Sequence, residues 1–340
     1  MVLVGIVLVG IVLVGIALVG VRRPFNLIHK LYHQGLTRMP PGPRLGWIDP
    51  REREGSSVRS FVSAAATVLA VLLAAVAVPA IWLDRNVVQE QGFVELAAPL
   101  GRDPEFQQRL AVAAVATVDT SAVPGFLSDL VQPVLEDAAS ALTALPEYSV
   151  AWEETLRKSH RLSFAGPATD GDGSAPASSL TLDVAPLVSL GAGEISRTTR
   201  LPLDPPDQTL INVGQPEHKE WTERLTTYAP AGYLLAGGSA IALLLALVAA
   251  NRRWTVVSGA GAGALLLAAA WTLGAGIASA AAVSADSGNE VANMFRDEFV
   301  AAAAADFRGW TMAAAAGGGA LLFLGLVAGF ATRKRARASR

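Results

Sequence analysis

The sequence APAGYLLAGGSAIALLLALVAA-NRR-WTVVSGAGAGALLLAAAWTLGAGIASAAAV occupies residues 229–283 and decides the fold. Its two apolar runs, Ala229–Ala250 and Trp254–Val283, contain no Asp, Glu, Lys, Arg or His. About 20 apolar residues cross a hydrocarbon core as a helix, and only helices or closed barrels satisfy their backbone polar groups there. Barrel strands alternate polar and apolar residues, whereas these runs do not. The stretch therefore predicts two transmembrane helices joined by the short turn 251–253.

Two further runs, Phe61–Leu83 and Trp310–Thr332, also lack ionisable residues and are long enough to span a bilayer. The whole chain of 340 residues is 52% hydrophobic and 16% charged. Soluble domains are normally less than half apolar and about a quarter charged. The sequence thus predicts an integral membrane protein with four spans.

Charge distribution predicts the orientation of the spans, because short cytoplasmic flanks are enriched in Lys and Arg. The turn 251–253 has two basic residues and the tail 333–340 has five, and neither segment has an acidic residue. Both segments are therefore predicted to be cytoplasmic, together with the basic segment 22–60, which places 84–228 and 284–309 outside the cytoplasm. The net charge of −2 then divides into +12 on the cytoplasmic side and −14 on the outer side.

Helical periodicity dominates the first half of the predicted outer region. Phe106 and Leu110 begin a pattern of apolar residues at three- and four-residue intervals. Asp103 followed by Pro104 is typical of a helix N-terminus, with an N-cap and a proline at the first helical position. Pro146 is predicted to separate two further helical segments.

The second half of the outer region has a different pattern. Glycine and proline cluster at 165–179, which predicts a turn-rich break. Alternating residues at Leu180–Val184 and Thr209–Val213 predict two short strands, and Glu217–Thr227 has the pattern of a polar helix. The predicted fold class is mainly α: a polytopic α-helical membrane protein with an α-dominated extracytoplasmic domain carrying a small β element.

The first 21 residues are a low-complexity repeat of VLVGI. A five-residue period moves successive glycines around a helix, so they form no common packing face. Three interpretations compete: an extra span, an uncleaved signal-like anchor, or translated upstream DNA ahead of a start at Met39, which we favour. Residues 22–36 have the pattern of a basic interfacial helix that contacts anionic lipid, unless they are not translated.

Two blocks of the chain resemble a known group of proteins. The first is WLDRNVV at 82–88, followed by Asp-Pro at 103–104, and the second is a Trp-to-His helix before LTLD at 180–183. From Phe61 to the C-terminus the chain is similar to uncharacterised four-span integral membrane proteins of high-GC Gram-positive (actinobacterial) type. The resemblance implies the four-span layout and no known biochemical activity. The positions that carry it are Trp82, Pro99, Asp103, Pro104, Trp152, His160 and Asp183.

Candidate chemical sites are weak. His160 has Glu153 and Glu154 nearby in sequence, but a zinc site needs three or four ligands at suitable spacing, and no catalytic signature occurs. The loop that starts at Asp170 has Thr181 where a calcium loop requires Glu. We therefore predict no catalytic, cofactor or metal site and no enzymatic activity. The absence of ionisable residues from the spans also disfavours a coupled transporter.

Small residues in the spans predict close helix packing. Gly259 and Gly263 form one small-xxx-small pair, and Gly325 and Gly329 form another. Packing within the four-helix bundle is favoured over a dedicated homodimer face, because four spans in one chain must pack together in any case. A homo-oligomer has no further support in the sequence.

These features predict a multi-pass plasma-membrane protein that acts through binding. The leading hypothesis is a cell-envelope binding or scaffold protein that uses its acidic extracytoplasmic domain, with the lipid bilayer and an envelope or membrane protein as partners and no nucleic acid. The alternative is a permease-like subunit of an ABC-type transport or division complex, which rests on topology alone. The short turn 251–253 offers no coupling helix for an ATPase, which counts against the alternative.

Overall fold

The computed structural model describes residues 50–116, 141–164, 181–200, 206–212 and 224–338. Several predictions lie outside these residues: the repeat at 1–21, the start at Met39, the segment 22–36 and the break at 165–179. The described residues divide between two compact units. Unit 1 comprises residues 50–78, 233–274 and 309–338, and unit 2 comprises the described parts of 79–232 and 275–308.

The described part of the chain is mainly helical, with a single small sheet. A π-helical turn (Asp84–Val88) follows the first helix, and a 3₁₀ turn (Ala98–Arg102) follows the second. The remaining elements are α1 (Pro50–Leu83), α2 (Glu90–Ala97), α3 (Pro104–Ala116), α4 (Tyr148–Phe164), β1 (Thr181–Asp183), α5 (Ala185–Thr199), β2 (Leu210–Asn212), α6 (Ala231–Ala249), α7 (Arg253–Val283) and α8 (Glu290–Ala338).

Four helical segments are long and apolar enough to cross a membrane: Val58–Val88, Arg224–Ala249, Arg253–Val283 and Glu290–Arg335. Each covers one of the four predicted spans to within one residue, so the prediction of four membrane-length helices is confirmed. Large apolar side chains on these segments are exposed, among them Leu234, which is 80% accessible. Such surfaces are unfavourable in water and suit lipid, so the helices suggest a membrane protein.

In unit 1, polar side chains join the helices to one another. The Ser63 hydroxyl donates to the Ala246 carbonyl (2.9 Å), which joins α1 to α6. Trp271 Nε1 of α7 donates to the Ala75 carbonyl of α1 (3.1 Å). Hydrogen bonds of this kind satisfy polar side chains that would otherwise face an apolar medium.

The small sheet of unit 2 confirms the two predicted strands. β1 and β2 pair antiparallel, with Thr181 opposite Asn212 and Asp183 opposite Leu210. The residues of β1 are all buried, so the strand belongs to the interior of unit 2 and not to its surface.

The core of unit 2 is built mainly from aromatic and aliphatic residues of α2, α3, α4 and the beginning of α8. Trp152 of α4 is fully buried at its centre. Its ring makes edge contacts with Phe106 of α3 (centroids 5.5 Å apart) and Phe295 of α8 (6.0 Å). Aromatic pairs in this geometry stabilise a core beyond the area that they bury.

The segment 284–309, which hydropathy predicts to be a short outer loop between the last two spans, is mostly helical. Only 284–289 lie outside helices, because α8 begins at Glu290. Charged residues at 296–298 lower the hydropathy here, but Val291 and Phe295 recur one helical turn apart and pack in the core. The helical periodicity therefore continues through a segment in which hydropathy alone indicates a loop.

Helix α5 was also not predicted from the sequence. It begins with Ala185 and Pro186 after the N-cap Val184, and a proline is well accommodated in the first helical turn. Leu187 and Leu190 pack against the core of unit 2. Because the predicted strand extends to Val184, no helix start was predicted at Ala185.

Candidate functional site

A groove rich in charged residues lies on unit 2, with a volume of about 540 Å³. Helix α2 and the following 3₁₀ turn form most of its lining, and α4 supplies the remainder. We call it the charged groove, and its lining residues are Glu90, Gln91, Val94, Glu95, Ala98, Pro99, Arg102, Glu153 and Arg157. Three carboxylates and two guanidinium groups thus face a single concave surface.

The side of the groove formed by α2 follows from helical spacing. Glu90, Gln91, Val94 and Glu95 stand at positions one, two, five and six of the helix, which lie on neighbouring parts of one face. Val94 is buried in the core and holds this face in place. Gln91 Nε2 donates to Glu95 Oε1 (2.8 Å), so the Glu95 carboxylate has an amide partner.

Ion pairs link the opposite side of the groove. Glu153 receives Arg102 at one carboxylate oxygen (3.1 Å) and Arg157 at the other (3.2 Å). At the end of the groove, Arg161 pairs with Glu90 (3.2 Å). These side chains are partly exposed, and exposed ion pairs contribute only up to about 1 kcal/mol each. The groove charges can therefore exchange their partners for those of a ligand at low cost.

The floor of the groove rests directly on the aromatic core. Trp152 Nε1 donates to the Ala97 carbonyl (3.1 Å), at the end of α2. Gly101 lies against the Trp152 ring so closely that a Cβ there would overlap the indole. Only glycine allows the 3₁₀ turn to approach the ring, and Pro99 of the same turn is left exposed on the groove.

The start of α3 anchors the other end of this turn. Asp103 Oδ1 accepts hydrogen bonds from the backbone N–H groups of Glu105 (2.8 Å) and Phe106 (3.2 Å). This confirms Asp103 as the predicted N-cap, with Pro104 as the first residue of α3. Gln107 Nε2 donates to the Gly101 carbonyl (2.6 Å) and fixes the turn further.

His160 lies inside unit 2 and not on the groove. Its ring stacks on Phe164 (centroids 4.5 Å apart) and contacts Phe93 (5.2 Å). Nε2 lies 3.0 Å from the Val87 carbonyl, which can only accept, so Nε2 carries the proton and Nδ1 is unprotonated in neutral His160. Burial lowers the pKa of His160 below 6.5, and the hydrogen bond to Val87 and the charge of Glu90 offset part of this effect.

We expect the stability of unit 2 to decrease as the pH falls below about 6.5, the pKa of His160 in the unfolded chain. In that range the unfolded chain binds a proton at His160 that the folded chain does not, and the free energy of unfolding therefore falls. His160→Gln keeps a donor for Val87 but does not titrate. Thermal unfolding of both proteins between pH 7.5 and 5.5 should give a steeper loss in the wild type, and parallel curves would contradict this assignment.

Asp183 connects several elements of unit 2 through hydrogen bonds. It is buried, and its Oδ1 accepts hydrogen bonds from the N–H groups of Ala185 (3.0 Å) and Thr209 (3.0 Å). Its own N–H donates to the Ser159 hydroxyl of α4 (2.8 Å). Asp183 therefore connects the start of α5, the residue before β2 and helix α4.

Trp82 is also buried within unit 2. Its Nε1 donates to Asp306 Oδ2 of α8 (2.7 Å), and its ring makes an edge contact with Phe307 (5.2 Å). The sequence alone predicts an aromatic residue at the membrane interface here. The structure shows in addition a long-range hydrogen bond, since 224 residues separate the two partners.

The seven positions that carry the family resemblance thus have different roles in the structure. Pro99 lines the groove, whereas Trp152, His160 and Asp183 are buried in unit 2. Glu153 and His160, considered together as metal ligands, have separate environments. In the part of the chain that the structure describes, no group of three potential metal ligands occurs, and His218 lies outside that part.

The groove residues Arg102 and Arg157 were not identified from the sequence. The spacing of Glu153 and Arg157, four residues apart on a helix, is a recognisable ion-pair signal. Arg102 lies 51 residues before its partner Glu153, and no local pattern connects them.

The four predicted packing glycines all lie against a neighbouring helix of unit 1. Gly259 and Gly263 of α7 face Thr67 and Val71 of α1. The two predicted packing glycines of α8 face α7: Gly325 lies against Ser258, and Gly329 lies against Trp254. A further pair, Gly261 of α7 and Gly318 of α8, also lies at a close backbone approach of the two helices.

Comparisons of the chain with protein-family models, with curated protein sequences and with solved structures find no match. The function is therefore inferred from the residues and contacts of this chain.

Proposed function

We propose that the protein is a multi-pass plasma-membrane protein whose segments 84–228 and 284–309 face the cell envelope and bind a partner there. The acidic excess of these segments and the basic flanks of the spans support this orientation. The resemblance to actinobacterial four-span membrane proteins implies the same four-span layout. In this proposal unit 2 is the binding part, and the membrane helices anchor it.

The observation that carries the proposal is the charged groove, whose floor rests on the buried aromatic core. Its volume of about 540 Å³ lies within the range of roughly 300–1,000 Å³ that is typical of ligand sites. Preorganised sites lose little conformational entropy on binding. The alternation of carboxylates and guanidinium groups favours a polypeptide segment that carries charges of both signs over a purely apolar ligand.

We expect Arg102→Glu to weaken partner binding about tenfold or more. The substitution removes the pair with Glu153 and places a fourth carboxylate in the groove, where it repels acidic groups of the partner. Binding is measured by photo-crosslinking from a probe at Gln91 in intact cells, followed by quantification of the crosslinked product. A loss of the product in Arg102→Glu is the expected result.

Arg197→Glu on α5 is the matched control. Arg197 is as exposed as Arg102 (68% against 65%), and it also pairs with a glutamate, Glu194. It does not line the groove. Equal loss of crosslinking in both variants would contradict the groove as the binding surface, because the effect would then follow from charge alone.

Purification in mild detergent distinguishes the alternative function. A permease-like subunit should retain a stoichiometric cytoplasmic ATPase, and this retention should not depend on Arg102. Recovery of such an ATPase would replace the scaffold proposal with the transport-complex proposal. A partner lost selectively in Arg102→Glu would support the envelope-binding role.

A further inference from the structure

Unit 1 carries a cluster of basic side chains at one end, formed by segments that are far apart in sequence. We call it the basic end. It consists of the exposed residues Arg59, Arg252, Arg253, Arg333, Lys334 and Arg335. They come from α1, from the turn before α7 with the first residue of α7, and from the last turns of α8.

Specific contacts bring these segments together. Asn251 Nδ2 donates to the Ser60 hydroxyl (3.2 Å), which places the turn beside the α1 residue that follows Arg59. Gly329 of α8 packs against Trp254 at the start of α7. The Arg333 guanidinium lies over the Trp254 ring, 5.7 Å from its centroid. The basic residues are therefore close together in the folded unit, although they come from segments far apart in the sequence.

No acidic side chain that the structure describes is paired with the basic end. Its six residues form no ion pair with those side chains, whereas several arginines of unit 2 do form such pairs. Like charges held close together repel one another, so an external anion is favoured. A guanidinium binds phosphate with two parallel hydrogen bonds, which makes arginine well suited to such a ligand.

The position of Trp254 favours a lipid over a soluble anion. Tryptophan is enriched at headgroup depth, and Trp254 stands where an uncharged helix of membrane length begins, next to Arg252 and Arg253. Arginines at this depth meet the phosphates of the adjacent leaflet. Anionic lipids attract basic residues here, and each residue strengthens binding several-fold.

We propose that the basic end of unit 1 is a binding surface for the headgroups of anionic phospholipids. Arg252, Arg253 and Arg333 around Trp254 form its centre, and Arg59, Lys334 and Arg335 extend it. The surface is independent of the charged groove, so it remains testable whatever the groove binds.

The test uses the full chain purified in detergent and titrated with phosphatidylglycerol or phosphatidylcholine. Bound lipid is counted by native mass spectrometry. The wild type should retain phosphatidylglycerol in preference to phosphatidylcholine. Substituting Arg252, Arg253 and Arg333 together by Gln should weaken phosphatidylglycerol binding roughly 100-fold, because three interfacial charges are lost.

Two further variants control for charge and folding. Gln at Arg109, Arg161 and Arg197 removes the same number of exposed positive charges from unit 2 and should leave phosphatidylglycerol binding unchanged. Lys at Arg252, Arg253 and Arg333 keeps the charge but loses the two-bond guanidinium contacts, so it should bind phosphatidylglycerol more tightly than the Gln variant and less tightly than the wild type. Tighter binding in the Lys variant than in the Gln variant separates lipid recognition from misfolding.

Three results would overturn the proposal. Equal phosphatidylglycerol binding in the wild type and the triple Gln variant would show that the basic end is not the binding site. Displacement of lipid by inorganic phosphate at equal concentration would indicate a general anion site. Recovery of an acidic soluble protein that competes with phosphatidylglycerol for the same arginines would identify a protein as the occupant.

Discussion

Trp152→Ala should lower the free energy of unfolding of unit 2 by about 3–5 kcal/mol, the range for removing a large aromatic side chain from a core. The indole is fully buried between Phe106 and Phe295, and its Nε1 donates to the Ala97 carbonyl. The substitution removes these contacts and one hydrogen bond to the buried Ala97 carbonyl, which adds to the cost. Because the 3₁₀ turn rests on this ring, the charged groove should lose its floor as well.

Hydrogen exchange followed by mass spectrometry measures this effect locally, which matters in a chain with two units. Peptides from α2, α3 and α4 should exchange faster in the variant. Val150→Ala is the control: Val150 lies on the same helix but is 68% exposed, so a change within about 0.5 kcal/mol is expected. Similar exchange in both variants would show that Trp152 does not organise the core.

The membrane-length helices could be predicted because their signal is local. A run such as Ala229–Ala250 needs only its length and its lack of charge to be recognised. The N-cap at Asp103 and the strands at 181–183 and 210–212 could be predicted for the same reason. Caps and alternating patterns involve only residues that are close in sequence. These elements agree between sequence and structure.

The charged groove could not be predicted, because its walls meet only through tertiary contacts. Arg102 and Glu153 belong to different helical elements, and Trp152 supports the turn from below. Trp152 belongs to the predicted Trp-to-His helix, but nothing local in the sequence indicates that its ring lies beneath Gly101. Residues that determine such a site become visible only when the packing of α2 on α4 is known.

The glycines of α7 show a related limit. Residues 259–263 read GAGAG, so three glycines stand at alternate positions. Spacing of four selects Gly259 and Gly263, which face α1, but it does not select Gly261, which faces α8. A helix turns about 100° per residue, so alternate residues lie on different faces and serve different neighbours. Which face meets which helix depends on the bundle.

Gly261→Val should destabilise unit 1 by about 3 kcal/mol, at the upper end of the range for overpacking. A Cβ at residue 261 would overlap the backbone of Gly318 and Leu322, so α7 and α8 must move apart. A flexible side chain can rotate away from a new methyl group, but backbone atoms cannot. The thermal midpoint of the purified protein in detergent should therefore fall, and Gly318→Val should have a similar effect because its Cβ would meet Ala264 and the Gly261 carbonyl.

Two glycines of the same helices serve as controls. A Cβ added at Gly276 of α7 or at Gly319 of α8 would have no neighbouring atom within 4 Å, so its addition displaces no neighbouring helix. Each control makes the same change in intrinsic helix propensity as its test variant, and this contribution cancels in the comparison. Equal midpoints for Gly261→Val and Gly276→Val would contradict the close approach of α7 and α8. A fall restricted to Gly261→Val and Gly318→Val follows only if backbone contact between the two helices holds unit 1 together.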